Sequence, residues 1–317
     1  MYTAPNVAKT PILLMDTAEY YHDMKNILDA IGNTPLINIE GIWVKMEYLN
    51  PSGSIKARIA KYMIERAEKE GLLKPGDTIV EASSGNTGNA MSMVAAVKGY
   101  KMLVVMPSGL SQERVAISKA FGAEVRTVGE FHVNEALDEC RRLGKLPGYF
   151  APQQFDNEWN VQENSEWLGQ EIIKELPAKP DLVVGGVGTG GTIIGVGAAF
   201  RKINPACKIY ALEPSESCTI ACGEVQKHLI EGISDGFIPG IIERHKNDID
   251  GYIHIHSHES IEEMRRIARN HGIFIGPSSG AHLIAAKRLK AELKLETVVT
   301  FFCDEGEKYM KDYWLKF

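Results

Sequence analysis

Lys56 closes the segment Asn50-Pro51-Ser52-Gly53-Ser54-Ile55-Lys56, where a Pro-Ser-Gly-Ser turn runs into a helical pattern. A lysine in the first turn of a helix sits at the positive end of the peptide dipole, where its charge is least favoured. Two readings follow: a solvated surface lysine, or an amine of lowered proton affinity able to attack a carbonyl carbon. A second segment, Ser83-Ser84-Gly85-Asn86-Thr87-Gly88, sets several hydrogen-bonding side chains at another helix start. One capping residue satisfies such a start; the surplus, with the backbone N–H groups, suits an anion such as a carboxylate. The third is Gly185-Gly186-Val187-Gly188-Thr189-Gly190-Gly191-Thr192, whose glycines let a backbone approach a phosphate closely. No Gly-Lys-Ser/Thr follows, so it is not a Walker loop. Gly186-x-Gly188-x-x-Gly191 does match the dinucleotide fingerprint, with Glu213 about 20 residues on, which keeps an NAD-dependent oxidoreductase open as a rival.

The elements that must position these loops alternate. Apolar runs at Asp77–Ala82, Lys101–Met106, Ala123–Val128, Asp181–Val187, Lys208–Leu212, Ile273–Ile275 and Thr297–Phe302 read as strands. Between them lie helical patterns at Ile59–Leu73, Asn89–Lys98, Gln112–Phe121, Trp167–Leu176, Ile193–Ile203 and Ile261–His271. Regular alternation predicts an α/β fold of mainly parallel strands joined by right-handed crossovers, with helices on both faces. Ligands of such sheets bind beyond the carboxyl ends of the strands, where the second and third loops fall.

Composition narrows the function classes. A formal charge of −6, with no Lys/Arg block interleaved with aromatics, argues against nucleic acid. The apolar stretch Ile12–Met15 has neither the basic flank nor the cleavage site of a signal peptide. No run approaches the roughly 20 apolar residues of a membrane span. Five scattered cysteines predict no disulfide and a reducing cytoplasm, and Cys218 and Cys222 read as two ordinary thiols on one helix face. Alternating His254, His256 and His258 would share one sheet face if Tyr252–His258 were extended; a solvated face is the expectation, and no metal is predicted. The amphipathic run Leu283–Leu293 reads as packing against a core.

Together the three loops resemble the cysteine synthase and cystathionine β-synthase family, the fold type II pyridoxal phosphate enzymes. Further matches fall in order along the chain: Ile31-Gly32-Asn33-Thr34-Pro35-Leu36, Met106-Pro107 through Gly122-Ala123-Glu124, Gln153-Gln154-Phe155, and Gly276-Pro277-Ser278-Ser279-Gly280-Ala281. The resemblance implies two three-layer α/β domains, 46–156 carrying the substrate loop and 1–45 plus 157–317 the phosphate loop, with the cofactor between them. It also implies a homodimer. Lys56 would hold pyridoxal 5'-phosphate and then remove the substrate's Cα proton. Asn86 would meet the ring's 3′-oxygen. Gly188, Thr189, Gly190, Gly191 and Thr192 would cradle the phosphate. Ser83, Ser84, Thr87 and Gln154 would hold the substrate carboxylate, and Ser278 would face the ring nitrogen. A serine there makes a weaker electron sink than an aspartate, which favours expelling a β-substituent over sustaining a carbanion. The implied chemistry is β-replacement or β-elimination through an aminoacrylate. Expected substrates are L-cysteine, O-acetylserine or O-phosphoserine with sulfide, a thiol or water; neither nucleic acid nor membrane is expected as a partner.

Departures from the family pattern matter as much. Glu231-Gly232-Ile233-Ser234-Asp235-Gly236-Phe237 has Ser234 where the family usually has glycine, and Asp235 where it has alanine or tyrosine. A carboxylate facing the cofactor can serve as a base toward water and repels hydrosulfide. Asp235 therefore points to the sulfide-releasing branch, taking L-cysteine to hydrogen sulfide and serine, beside ordinary cysteine synthesis. Cys303-Asp304-Glu305-Gly306-Glu307 replaces a Ser-Gly-Glu segment, and Ala57 an aspartate or cysteine. A non-catalytic relative that keeps the fold is the third class, and Lys56 argues against it. No appended regulatory module is expected after Phe317.

Overall fold

Strands and helices alternate along the chain in the computed structural model, which describes residues 24–108, 112–130 and 133–315. Ile12–Met15 and Phe317 lie outside these residues. The described strands are β1 (Leu36–Ile39), β2 (Ile42–Lys45), β3 (Thr78–Ala82), β4 (Lys101–Ser108), β5 (Glu124–Glu130), β6 (Tyr149–Phe150), β7 (Leu182–Gly186), β8 (Lys208–Pro214), β9 (Gly251–Ile255) and β10 (Val298–Phe301). One sheet runs β1-β2-β10-β7-β8-β9 and the other β5-β4-β3-β6. Every neighbouring pair is parallel except the hairpin β1–β2. The central strands of both sheets are buried on both faces, and Leu182-Val183-Val184 and Leu103-Val104-Val105 are accordingly continuous apolar runs.

Helices cover those faces because their apolar residues recur at three- and four-residue steps. In Lys56–Lys69 the buried side is Ile59, Ala60, Met63, Ile64 and Ala67. Ser257–His271 starts on a capping box from His256 and Glu259 and ends at Gly272, whose φ of 67° closes the last turn. Among the described residues no helix is long and apolar enough to cross a membrane.

The structure corrects the sequence reading in three places. Ile273–Ile275 is not a strand: only Ile275 makes an isolated bridge, to Glu305, before the chain enters the helix Pro277–Leu293. Tyr252–His258 is not extended throughout. It leaves β9 at Ile255, and His256 and His258 belong to the cap and first turn of a helix, so the three imidazoles do not share a face. Cys218 and Cys222 are not two free thiols but a disulfide, since the one-turn helix Thr219–Cys222 brings their Cα atoms to 5.2 Å.

A buried ionic cluster fixes the start of the Lys56 helix. Arg58, wholly buried, donates from Nε to Glu47 at 2.7 Å and from Nη2 to Glu171 at 2.7 Å. Thr34 donates to Glu47, and Asn33 N–H to Glu171. The Ile31–Leu36 motif thus braces the turn that carries Lys56 and does not line the cleft described next.

Candidate active site

The carboxyl ends of β3, β7 and β10 open onto one cleft of about 850 Å³, counting its mouth. Lys56, at the first turn of its helix, lines it together with Ser83, Ser84, Asn86 and Thr87 from the loop after β3. Gly188, Thr189, Gly190 and Thr192 come from the loop after β7, Ser278 from the start of the helix Pro277–Leu293, and Gln154 and Asp235 from two further loops. Gly191 stands behind this wall: its N–H donates to Thr189 Oγ1 at 3.2 Å, and a Cβ there would collide with Asn160.

The glycine loop is shaped by backbone need. Gly190 has φ 85°, a conformation that favours glycine, and packs on Ile242. A Cβ on Gly188 would lie 2.6 Å from the carbonyl oxygen of Gly232. Asn160 Nδ2 donates to Thr189 Oγ1 at 2.9 Å and to the Gln154 carbonyl at 2.8 Å, tying this loop to the one opposite. Beneath it, Gly186 N–H donates to His282 Nε2 at 2.7 Å, so the ring proton is on Nδ1, which donates to the Phe301 carbonyl at 2.8 Å. Burial holds the His282 pKa down at about 4, and the ring is neutral. The thirteen-residue helix Gly191–Ile203 therefore presents its N–H end, with no cationic side chain from this loop, to the cleft.

The loop after β3 is held more tightly than its sequence indicated. Ser83 Oγ accepts from Gly85 and Gly88 N–H, both at 3.0 Å. Thr87 donates to Gln154 Oε1 at 2.6 Å, while Gln154 Nε2 donates to the Ala82 carbonyl. Behind them, burial pushes the Glu81 carboxyl up to about 8 although it accepts from Gln154 and Ala82 N–H. Ser83, Thr87 and Gln154 thus use polar atoms on one another and on the backbone.

Sequence reasoning missed a charged web at the mouth. Arg114, almost fully buried, pairs with Glu231 at 2.5 Å and donates to the Ser84 carbonyl at 3.1 Å. Its guanidinium lies 5.2 Å from the Tyr309 ring centre. Tyr309 and Asn86 Nδ2 both donate to Asp304 Oδ2, at 2.5 and 2.7 Å. Burial raises the Tyr309 phenol well above its ordinary range, which keeps it a donor. The sequence signals were the unusual Glu231–Phe237 and Cys303–Glu307 segments; Arg114 and Tyr309 gave none. Asp304 also fixes the Asn86 amide, whose Oδ1 is buried without a hydrogen-bond partner. Phe237 packs edge-on against Phe155 at 5.0 Å, which seats the Asp235 loop against the Gln154 segment.

These residues fit pyridoxal phosphate: a primary amine, a backbone cradle for a dianion that a Cβ at Gly188 or Gly190 would fill, an amide with a spare N–H and a helix-start hydroxyl line one cleft. They do not fit a dinucleotide. Glu213, the acid the fingerprint requires for a ribose, is wholly buried and accepts from Ile220 and Ala221 N–H at 2.7 and 3.0 Å.

Comparison with known proteins agrees. The family model described as pyridoxal-phosphate dependent enzyme matches residues 27–304. A cysteine synthase of Staphylococcus aureus is 42% identical over 296 residues, covering 90% of this chain and 95% of its own. Among solved structures, a hydrogen sulfide-producing enzyme from Fusobacterium nucleatum superposes with a TM-score of 0.84 at 36% identity, covering 90% of this chain and 99% of that one. An O-acetylserine dependent cystathionine β-synthase from Helicobacter pylori gives 0.85 at 33%, covering 91% and 98%. The chain belongs to the pyridoxal-phosphate dependent enzyme family.

Proposed function

We propose that this chain carries pyridoxal phosphate on Lys56 and makes or breaks L-cysteine at its β-carbon, with Asp235 directing the reaction toward sulfide release. The observation that carries the reading is the shared cleft: Lys56 faces the N-terminal ends of Asn86–Lys98 and Gly191–Ile203 across one cavity. The cofactor, when bound, supplies an electrophilic carbon for an amine and a conjugated ring that accepts electron density from the substrate's Cα. The chain's residues do the rest. Lys56 Nζ takes the Cα proton. Gly188, Thr189, Gly190 and Thr192 present backbone donors to the phosphate, and Gly191 closes the turn behind them. Asn86 Nδ2, with one hydrogen on Asp304, has its other for the ring oxygen. Ser278 offers a hydroxyl, not a carboxylate, to the ring nitrogen, so proton loss at Cα is coupled to departure of the β-substituent. Ser84 and the first N–H groups of Asn86–Lys98 grip the substrate carboxylate. Ser83, Thr87 and Gln154 hold that loop in shape.

The choice of nucleophile rests with the mouth. Asp235 lines the cleft, where Glu231 is neutralised by its pair with Arg114, so the carboxylate offered to an incoming nucleophile is that of Asp235, which disfavours hydrosulfide and favours water as the group it activates. The likeness to a hydrogen sulfide-producing enzyme supports this direction. The two sheets support assigning 46–156 to a smaller unit around β3–β6 and the remainder to a larger one.

The test has two stages. The purified protein should be yellow, lose its visible band on borohydride treatment, and carry the reduced label on Lys56; a protein that stays colourless after incubation with pyridoxal phosphate sinks the reading. Sulfide release from L-cysteine is then compared with sulfide consumption in the presence of O-acetylserine or O-phosphoserine. Asp235→Asn should keep the visible band and lose most sulfide release; release at the parental rate removes Asp235 from the mechanism.

A further inference from the structure

Cys218, Cys222 and His254 belong to none of the loops that line the catalytic cleft. Their potential ligand atoms nevertheless lie within 4.8 Å of one another. Cys218 is buried at the start of a one-turn helix, Cys222 is exposed at its end, and His254 reaches them from the edge strand β9. The histidine carries a second signal. Its Nε2 is buried without a hydrogen-bond partner, an unusual state for an imidazole nitrogen 4.0 Å from the buried Glu213 carboxylate. That carboxylate, held by Ile220 and Ala221 N–H, places fixed negative charge beside the three side chains.

We propose that, with its cysteines reduced, this chain binds one soft divalent cation of the zinc class through Cys218, Cys222 and His254, a water completing the tetrahedron. Two thiolates and one imidazole are a donor set that zinc favours. Zn–S bonds of about 2.3 Å and Zn–N bonds of about 2.0 Å put tetrahedral ligand atoms roughly 3.3–3.8 Å apart; reduction must let the two bonded sulfurs move apart to reach this, while His254 already stands within 4.8 Å of both. The disulfide is the alternative state of the same site. A phosphine or thiol reductant breaks the Sγ–Sγ bond with two electrons and two protons, being itself oxidised to the phosphine oxide or disulfide. The metal then displaces the two thiol protons. The other cysteines are poor competitors: burial pushes Cys207 and Cys303 up to about 12 and Cys140 higher still. Neither half of the site was a convincing motif in sequence. The cysteines lacked a second ligand pair and the histidines lacked a common face; the fold supplies each with the other.

The holoenzyme is reduced with a phosphine, freed of reductant under anaerobic conditions and titrated with zinc(II). One zinc per chain should remain after gel filtration, and cobalt(II) in its place should show a thiolate charge-transfer band. Oxidised protein should retain less than about a tenth as much zinc. Cys222→Ser and His254→Ala should each weaken binding roughly tenfold or more while leaving the cofactor band unchanged. Zinc should also protect Cys222 of the unmodified chain from alkylation. No zinc on the reduced protein, equal retention by both variants, or unprotected Cys222 would each overturn the site.

Discussion

The two ends of the cleft are built by opposite means. The cradle after β7 uses backbone N–H groups, glycines and a neutral His282, and places no formal charge of its own where an anion is to sit. The mouth instead buries charges in pairs: Arg114 with Glu231, and Asp304 beneath Tyr309 and Asn86. The first arrangement avoids the desolvation of an ion and depends on shape. The second incurs that cost and depends on every partner being present. A substitution at the mouth should therefore act mainly on stability, and one at the cradle mainly on cofactor retention.

The largest effect is expected at Arg114. Arg114→Leu leaves the partly exposed Glu231 carboxylate with only the Tyr313 hydroxyl as donor and removes the contact with Ser84, and should lower unfolding free energy by about 3 kcal/mol, the low end for a broken buried pair, in chemical denaturation. Glu231→Leu with Arg114→Leu should recover much of that loss, because an apolar pair leaves no buried charge. A double variant no better than the single one would mean that the web is not held by pairing.

Gly188→Val comes next. Its side chain would meet the Gly232 carbonyl oxygen, 2.6 Å from the position of a Cβ, and displace the cradle from the Asp235 loop. Pyridoxal phosphate affinity, measured by fluorescence titration of the apoprotein, should fall about 100-fold, roughly 2.7 kcal/mol. The melting temperature of the apoprotein should change less than in Arg114→Leu. The reverse order would dissolve the contrast between the two ends.

Glu163 tests what happens when a buried carboxyl has no partner. Neither of its oxygens is hydrogen-bonded, and burial raises its pKa to about 8. The folded chain then holds a proton that the unfolded chain, titrating near 4.5, has released. Its contribution is fully present below that lower value and is lost as pH rises through 8, by up to about 1.4 kcal/mol per pH unit. Glu163→Gln should flatten the decline in stability between about pH 5.5 and 7.5; an unchanged slope would mean that Glu163 is ionised at neutral pH.

What could be read from the sequence follows the same division. β4, β7 and β10 were legible because buried parallel strands are near-continuous apolar runs, β3, β5 and β8 because short β-branched stretches recur between helical patterns, and the cradle because glycine spacing records a backbone conformation. The hairpin β1–β2 was not, as β1 lies largely exposed and Lys45 ends β2, so neither strand reads as the buried apolar run that β10 does. The mouth was illegible for a different reason. Arg114, Glu231, Asp304 and Tyr309 are ordinary residues until the fold juxtaposes them, as are Cys218, Cys222 and His254. Local chemistry leaves a trace in spacing; pairing between distant segments leaves none.

The smallest predicted effect sits where the two ends touch. Ser234, which stands where glycine is usual in the family, has φ 52° and lies buried, with Oγ lacking a hydrogen-bond partner. Its N–H donates to the Val187 carbonyl at 2.9 Å, joining the Asp235 loop to the cradle. A left-handed serine costs about 1 kcal/mol relative to glycine, and its unsatisfied hydroxyl adds to that. Gly at this position also gives the unfolded chain more freedom, which offsets part of the gain. Ser234→Gly should therefore stabilise the protein by about 0.5–1 kcal/mol, seen as a small rise in denaturation midpoint at constant slope. Sulfide release should fall if the strained serine holds Asp235 against the cofactor side. Equal release with higher stability would instead assign Ser234 no share in the chemistry, and shift the positioning of Asp235 to other contacts of its loop, Phe237 against Phe155 among them.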